Sequence, residues 1–264
     1  MTYNAELFCR QIPLAMRLAL LTGGSRGLGL ALGERLVGAG YRVVEFSRRA
    51  PHDWSVQVDF SQPSSAARVV ADTLAPLAVQ PIEELIFIGN AATLEPIGPT
   101  SRQARDAVLD NLNVNFSSAI LVLTEVVAAF QSHACRKVVA NISSGAALKG
   151  YAGWSLYCAV KAGMENFIQS LALEQARQPH PLIAVNINPG VMDTGMQSLI
   201  RATPEEDLPD VGRFIQRRDA GELASPDRVA AAILRILASG ELAAGARYVA
   251  QEWMQDDASR EADI

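Results

Sequence analysis

A doubly wound parallel sheet of about seven strands, with helices on both faces, is the α/β fold this sequence predicts. Three observations carry that expectation. Short apolar runs alternate with longer stretches of helical periodicity along the chain. The strand runs are almost continuously apolar, as in Leu85-Ile86-Phe87-Ile88, which suits strands buried on both faces. A glycine-rich turn, Thr22 to Gly29, follows the first run and opens into a helical pattern.

In chain order, strands are expected over 17–22, 41–47, 55–59, 84–89, 137–143, 182–188 and 247–250. Helices are expected over 28–38, 63–74, 101–110, 114–132, 155–175 and 226–238, the last opened by a Ser225 cap with Pro226 at the first helical position. Between Val191 and Leu223 the pattern loosens into charged, Pro- and Gly-containing sequence, where a mobile lid over a site would sit. Residues 1–15 read as a polar extension, 16–250 as one domain, and 251–264 as an acidic, partly disordered tail. At 264 residues, with 49% hydrophobic and 19% charged composition, one core suffices.

The net charge of −5 comes without a run of Lys or Arg, so neither nucleic acid nor a membrane surface is expected as a partner. Cys9, Cys135 and Cys158 are scattered, and His52, His133 and His180 lack ligand spacing, so no disulfide framework and no metal are expected. A reducing, cytoplasmic setting fits. No run approaches about 18 apolar residues, and the N-terminus lacks the order of a secretory signal.

Thr22-Gly23-Gly24-Ser25-Arg26-Gly27-Leu28-Gly29 has the spacing T-G-x-x-x-G-x-G. Glycines there let the backbone approach a ligand, and the helix start offers N–H groups and partial positive charge to a pyrophosphate. Gly23, Ser25, Arg26, Gly27, Leu28 and Gly29 are therefore cofactor-binding candidates. The end of the second strand selects the dinucleotide, since a ribose hydroxyl takes an acid there and a 2′-phosphate takes cations. Ser47 and Arg48, with Arg26 nearby, indicate NADP(H); the competing acid, Glu45, lies two residues earlier within the strand.

Tyr157 and Lys161 are spaced i, i+4 in a helical stretch, so an ammonium lies beside a phenol. A neighbouring cation stabilises phenolate and brings an ordinary pKa of about 10 toward working pH. Ser144 ends the fifth strand thirteen residues earlier, at the sheet edge where ligands bind. In order, the chain then holds the glycine loop, Gly89-Asn90-Ala91-Ala92, Asn113-Val114-Asn115, Ser143-Ser144, Tyr157-x-x-x-Lys161, and Asn188-Pro189-Gly190 with Thr194 beyond.

That series resembles the short-chain dehydrogenase/reductase family of Rossmann-type enzymes over essentially the whole chain from Met16. The resemblance implies that Tyr157 protonates a carbonyl oxygen, that Ser144 hydrogen-bonds it, and that Lys161 lowers the tyrosine pKa and holds the nicotinamide ribose. It implies that Asn115 fixes a relay water, Asn90 shapes the cofactor floor, Asp59 contacts adenine, and Pro189, Gly190 and Thr194 meet the nicotinamide end. Asp59 also reads as a helix cap, and Gly89 and Ala92 depart from the family's N-N-A-G. A homodimer or homotetramer, packed through helices 114–132 and 155–175, is implied as well.

Trp154 to Ala159 and Pro189 to Gln197 resemble the sepiapterin reductase and benzil reductase branch. Sepiapterin reductases carry a pterin-anchoring aspartate in the last strand, whereas Gly245 to Ala250 holds no carboxylate; Glu252 is the one nearby acid. Reduction of an apolar or aromatic ketone or 1,2-dicarbonyl is the leading expectation, with Tyr151, Trp154, Leu148, Met192 and Met196 around the substrate. Pterin reduction, oxidation of a secondary alcohol, and an NADP-sensing binding protein are the alternatives.

Overall fold

The computed structural model describes residues 15–254. Its centre is a parallel sheet of seven strands: β1 (Met16–Thr22), β2 (Arg42–Ser47), β3 (Ser55–Gln57), β4 (Ile82–Gly89), β5 (Arg136–Ile142), β6 (Ile183–Asn188) and β7 (Arg247–Val249). They lie in the order β3-β2-β1-β4-β5-β6-β7, all pairs parallel. The chain winds outward from β1 to β3, then crosses back to β4 on β1's other side. That reversal opens a crevice at the carboxyl ends of β1 and β4, where an open α/β sheet binds ligands.

Successive strand side chains point to opposite faces and build two cores. Leu18 and Leu20 of β1 and Leu85 and Phe87 of β4 join Val70 and Leu74 of α2 (Pro63–Ala78), Val122 and Val126 of α4 (Ser118–Phe130) and Ile168 of α5 (Ser155–Gln175). Ala19, Leu21, Ile86 and Ile88 face the other way, onto Leu32 and Leu36 of α1 (Gly27–Gly38) and Ile233 and Ile236 of α8 (Pro226–Ala238). Cα partners such as Leu18↔Leu85 and Ala19↔Ile86 keep the two sets in register.

Several boundaries differ from expectation. Helix α2 runs on to Ala78 despite Pro76 inside it, and Leu77 in that last turn is buried. The expected helices over 101–110 and 114–132 form one continuous stretch. It comprises α3 (Arg105–Leu112), a π turn (Asn113–Ser117) and α4, after a short 3₁₀ turn at Thr100–Arg102. By length and composition Arg105–Phe130 is apolar enough to cross a membrane. Here it lies against α2 and carries Asn111 and Asn115 inward.

The expected lid contains two helices, α6 (Gly195–Ala202) and α7 (Val211–Asp219). Ile200, Leu208 and Val211 pack there on Leu94, Trp154 and Tyr157, forming a third small core. Where the expected last strand meets the tail expected to be partly disordered, Ala250–Trp253 forms a 3₁₀ turn whose Trp253 carbonyl accepts two bonds from Arg235, at 3.0 and 2.5 Å. Residues 1–14, including Cys9, and 255–264 lie outside the described residues.

Candidate active site

The crevice is a trough of about 1210 Å³. Its phosphate end is built by close backbone approach. Gly23 has φ +74°, and a Cβ on it would lie 2.8 Å from the Ala91 Cα; a Cβ on Gly29 would lie 2.1 Å from the Gly23 carbonyl oxygen. Asn90 clamps this turn, its Nδ2 donating to the carbonyls of Gly23 (2.9 Å) and Thr22 (3.2 Å). Thr22 Oγ1 accepts from the backbone N–H of Asn90 and Ala91, joining β1 to β4. Helix α1 starts at Gly27 after an extended Arg26 that makes no side-chain cap. The N–H groups of its first turn and the glycine-lined cradle fit a dinucleotide pyrophosphate. Gly23, Ser25, Arg26, Gly27, Leu28, Gly29 and Asn90 all line the trough.

At the β2 end, Ser47 and Arg48 line the trough, and so does Arg49. Glu45 does not. It is fully buried beneath the glycine loop, where Oε1 accepts from the Gly24 N–H at 2.7 Å and Oε2 accepts from the Ser47 hydroxyl at 3.2 Å. Ser47 Oγ in turn accepts from Ala50 N–H at 3.2 Å, so its proton is committed to Glu45. The exposed charged donors at this end are the guanidiniums of Arg26, Arg48 and Arg49. Asp59 is exposed and lines the trough; it closes a local turn by accepting from Ser61 N–H at 3.0 Å, while Gln62 holds the N-cap position of α2 without a side-chain cap.

The reaction centre lies where β5 ends and α5 begins. Tyr157 and Lys161 share the inward face of α5, each 7% exposed, and Lys161 Nζ stands 5.7 Å from the phenol ring centroid. Lys161 donates to the Ile142 carbonyl at 2.7 Å. Burial pushes the Tyr157 phenol up to about 12, against a downward pull from the Ser144 hydroxyl. Burial brings the Lys161 ammonium down to about 8, against an upward pull from Glu165. Desolvation outweighs the Ser144 hydrogen bond at Tyr157, so the phenol holds its proton as a donor must. Ser144 Oγ accepts from Ala146 N–H at 3.1 Å, which leaves the hydroxyl proton to be given.

Asn115 is the one expected catalytic or cofactor-binding residue outside the trough wall. It sits in the π turn, a distortion frequent at functional sites, and pins Thr93 from both sides: Oδ1 accepts from the Thr93 N–H and Nδ2 donates to its carbonyl, both at 2.8 Å. Its second amide hydrogen goes to Asn111 Oδ1 at 3.0 Å. Asn115 faces a mostly apolar cavity of about 30 Å³ to which Thr22, Asn141 and Lys161 add polar groups, large enough for one water. A relay water there would meet an Asn115 side chain with no donor left.

Pro189, Gly190 and Thr194 line the nicotinamide end. Beyond them the wall is aromatic and thioether: Tyr151, Trp154, Met192, Met196 and Phe214, with Trp154 centred 5.3 Å from Tyr151, 5.2 Å from Phe214 and 6.1 Å from Tyr157. Leu148, expected here, is 67% exposed and outside the lining. Glu252 is exposed and also outside it; Gln251 lines the trough instead. Arg213, Phe214 and Arg217 were missed with helix α7, although Leu208, Val211, Phe214 and Ile215 carry its apolar spacing. Among the described residues, no group of three or more His, Cys, Asp or Glu is placed to hold a metal ion.

A glycine-lined dinucleotide cradle leading to a Ser-Tyr-Lys cluster defines a nicotinamide-dependent oxidoreductase of CH–OH and C=O groups. The chain belongs to the short-chain dehydrogenase family, whose model matches residues 17–205. It is 31% identical over 230 residues to a benzil reductase ((S)-benzoin forming) of Bacillus subtilis, covering 85% of this chain and 95% of the relative. To the sepiapterin reductase of Rattus norvegicus it is 28% identical over 257 residues, covering 88% and 95%. Among solved structures, the KRED1-Pglu enzyme superposes with a TM-score of 0.75 at 27% identity, covering 89% of this chain and 100% of that one.

Proposed function

We propose that the chain is an NADPH-dependent carbonyl reductase acting on small apolar or aromatic ketones or 1,2-dicarbonyls. The observation that carries this reading is the wall of Tyr151, Trp154, Met192, Met196 and Phe214 beside a buried, protonated phenol. A flat apolar substrate suits it, whereas a pterin would bury hydrogen-bonding groups at a cost of about 1–3 kcal/mol for each left unmatched. The benzil reductase relatives support the same class, and the sepiapterin reductases keep pterin reduction as the second reading. Preference for NADP(H) is supported by the exposed Arg26, Arg48 and Arg49, and by Glu45 being held under the loop away from a ribose.

When bound, the nicotinamide supplies the hydride. As the carbonyl carbon gains it, Tyr157 gives its proton to the oxygen and Ser144 donates a hydrogen bond to the growing negative charge. Lys161 holds a cation beside the phenolate left behind. The small cavity beside Lys161 would take one water next to it as a carrier for returning that proton. Secondary-alcohol oxidation is the reverse of the same steps.

The proposal includes a homodimer or homotetramer through α4 and α5, supported by Leu173, 75% exposed on α5. It also includes a cytoplasmic location, supported by the free thiols Cys135 and Cys158. NADPH consumption with a carbonyl panel is the test. Catalytic efficiency on benzil should exceed that on sepiapterin. The opposite order overturns the substrate class, and tight NADPH binding without turnover of any carbonyl would favour a cofactor-sensing protein.

A further inference from the structure

The last strand, which lacks the pterin-anchoring acid, carries a cation instead. Arg247 reaches from β7 past β6 to the reaction centre, where Nη2 donates to the Ser144 carbonyl at 3.2 Å and Nε to Glu165 Oε1 at 2.9 Å. Glu165 is one helical turn beyond Lys161 on α5, and its side chain is 8% exposed. The same Oε1 accepts from the hydroxyl of Ser143. Asn186 Nδ2 donates to the Glu165 backbone carbonyl at 3.2 Å and its Oδ1 accepts from Asn141 at 2.8 Å, so β5 and β6 tie down the backbone of the turn that carries this carboxylate.

We infer that Arg247 and Glu165 are positioning residues for the reaction centre. Arg247 fixes the backbone that presents the Ser144 hydroxyl, and its charge offsets that of Glu165, so that the Lys161 cation stays directed at the Tyr157 phenol. Neither residue lines the trough. Among the described residues, Cys158 acts on Tyr157, Glu165 acts on Lys161 and Arg247 pairs with Glu165, while Arg213 and Arg217 of α7 line the same trough.

The inference rests on the carbonyl-reductase reading for its catalytic meaning, but its electrostatics can be measured without turnover. Lys137, Lys149 and Lys161 are the chain's lysines, so carbon-13 lysine labelling of the cofactor-free protein isolates the Lys161 titration. Whichever member of the Lys161–Tyr157 pair loses a proton first, removing a nearby positive charge makes the loss harder and removing a negative one makes it easier. Arg247→Met should raise the Lys161 titration by about one pH unit, Glu165→Gln should lower it by about as much, and the double variant should return toward wild type. The pH profile of kcat/KM for alcohol oxidation should move in the same directions, with KM little changed. Arg247→Lys should keep the profile in place while kcat falls several-fold, because an ammonium cannot hold Ser144 and Glu165 in one planar fork.

Variants that lose only thermal stability while Lys161 titrates as in wild type would overturn the inference. So would single-variant shifts of the same sign. The isosteric Glu165→Gln carries the test should Arg247→Met not fold. A wild-type protein inactive on every carbonyl would refute the functional reading, while the lysine titration would still decide whether the pair sets the charge at Lys161.

Discussion

Replacing Lys161 with methionine should make the protein more stable and inactive. The ammonium is wholly buried, and its pKa falls from 10.5 to about 8. At 1.36 kcal/mol per unit, holding it charged at neutral pH costs about 3 kcal/mol. Methionine removes that cost but leaves the Ile142 carbonyl without its 2.7 Å partner, a loss of about 1–2 kcal/mol. The net expectation is a gain of about 1–2 kcal/mol near neutral pH. The sign follows from proton binding: with the folded pKa below the unfolded one, the unfolded chain binds more protons between about pH 8 and 10.5. Wild-type stability attributable to this group therefore rises across that window, and the advantage of Lys161→Met shrinks and vanishes. Reversible urea unfolding at neutral and alkaline pH, wild type against variant, measures it. A variant less stable at neutral pH, or an advantage that grows as pH rises, would refute the reasoning.

Tyr157→Phe should keep fold and cofactor affinity yet lower turnover by roughly 10²–10⁴-fold, the usual worth of a positioned proton donor; steady-state kinetics with NADPH titration separates the two effects. Arg48→Ala should weaken NADPH about tenfold or more and leave NADH nearly unchanged, as one charge-assisted phosphate contact is worth about 1.5–3 kcal/mol; parallel kcat/KM measurements decide it. Light scattering at micromolar protein should give a dimer or tetramer mass, and a monomer would remove the proposed α4–α5 interface.

The strands and the motif at the head of each site element were legible in the sequence because both are local. An apolar run such as Leu85-Ile86-Phe87-Ile88 announces a strand covered on both sides, and the glycine spacing after β1 announces a turn that tolerates no side chain. Helices α6 and α7 were not legible. Each buries only one narrow face, as Val211 and Phe214 do, and Pro204 and Pro209 interrupt the stretch between them. Missing α7 meant missing Arg213, Phe214 and Arg217 at the trough. Pairings between distant buried groups also escaped: periodicity shows that Glu45 and Glu165 face inward but not which partner each finds. The tyrosine's raised pKa has the same origin, since adjacency to Lys161 can be read from spacing and the depth of burial cannot.

The carboxylate under the glycine loop restricts how this chain could change its redox partner. The common route to NAD is an acid at the end of the second strand, which here is position 47. A carboxylate there would stand against Glu45, whose Oε2 is already 3.2 Å from the Ser47 oxygen. Two carboxylates at that separation would repel each other, which opposes placing an acid at position 47. Glu45 could be relieved only by giving up its hold on the Gly24 N–H, which would loosen the pyrophosphate turn. The two ends of the trough are thereby tied together: the carboxylate beside position 47 at the adenosine end also supports the turn at the pyrophosphate end.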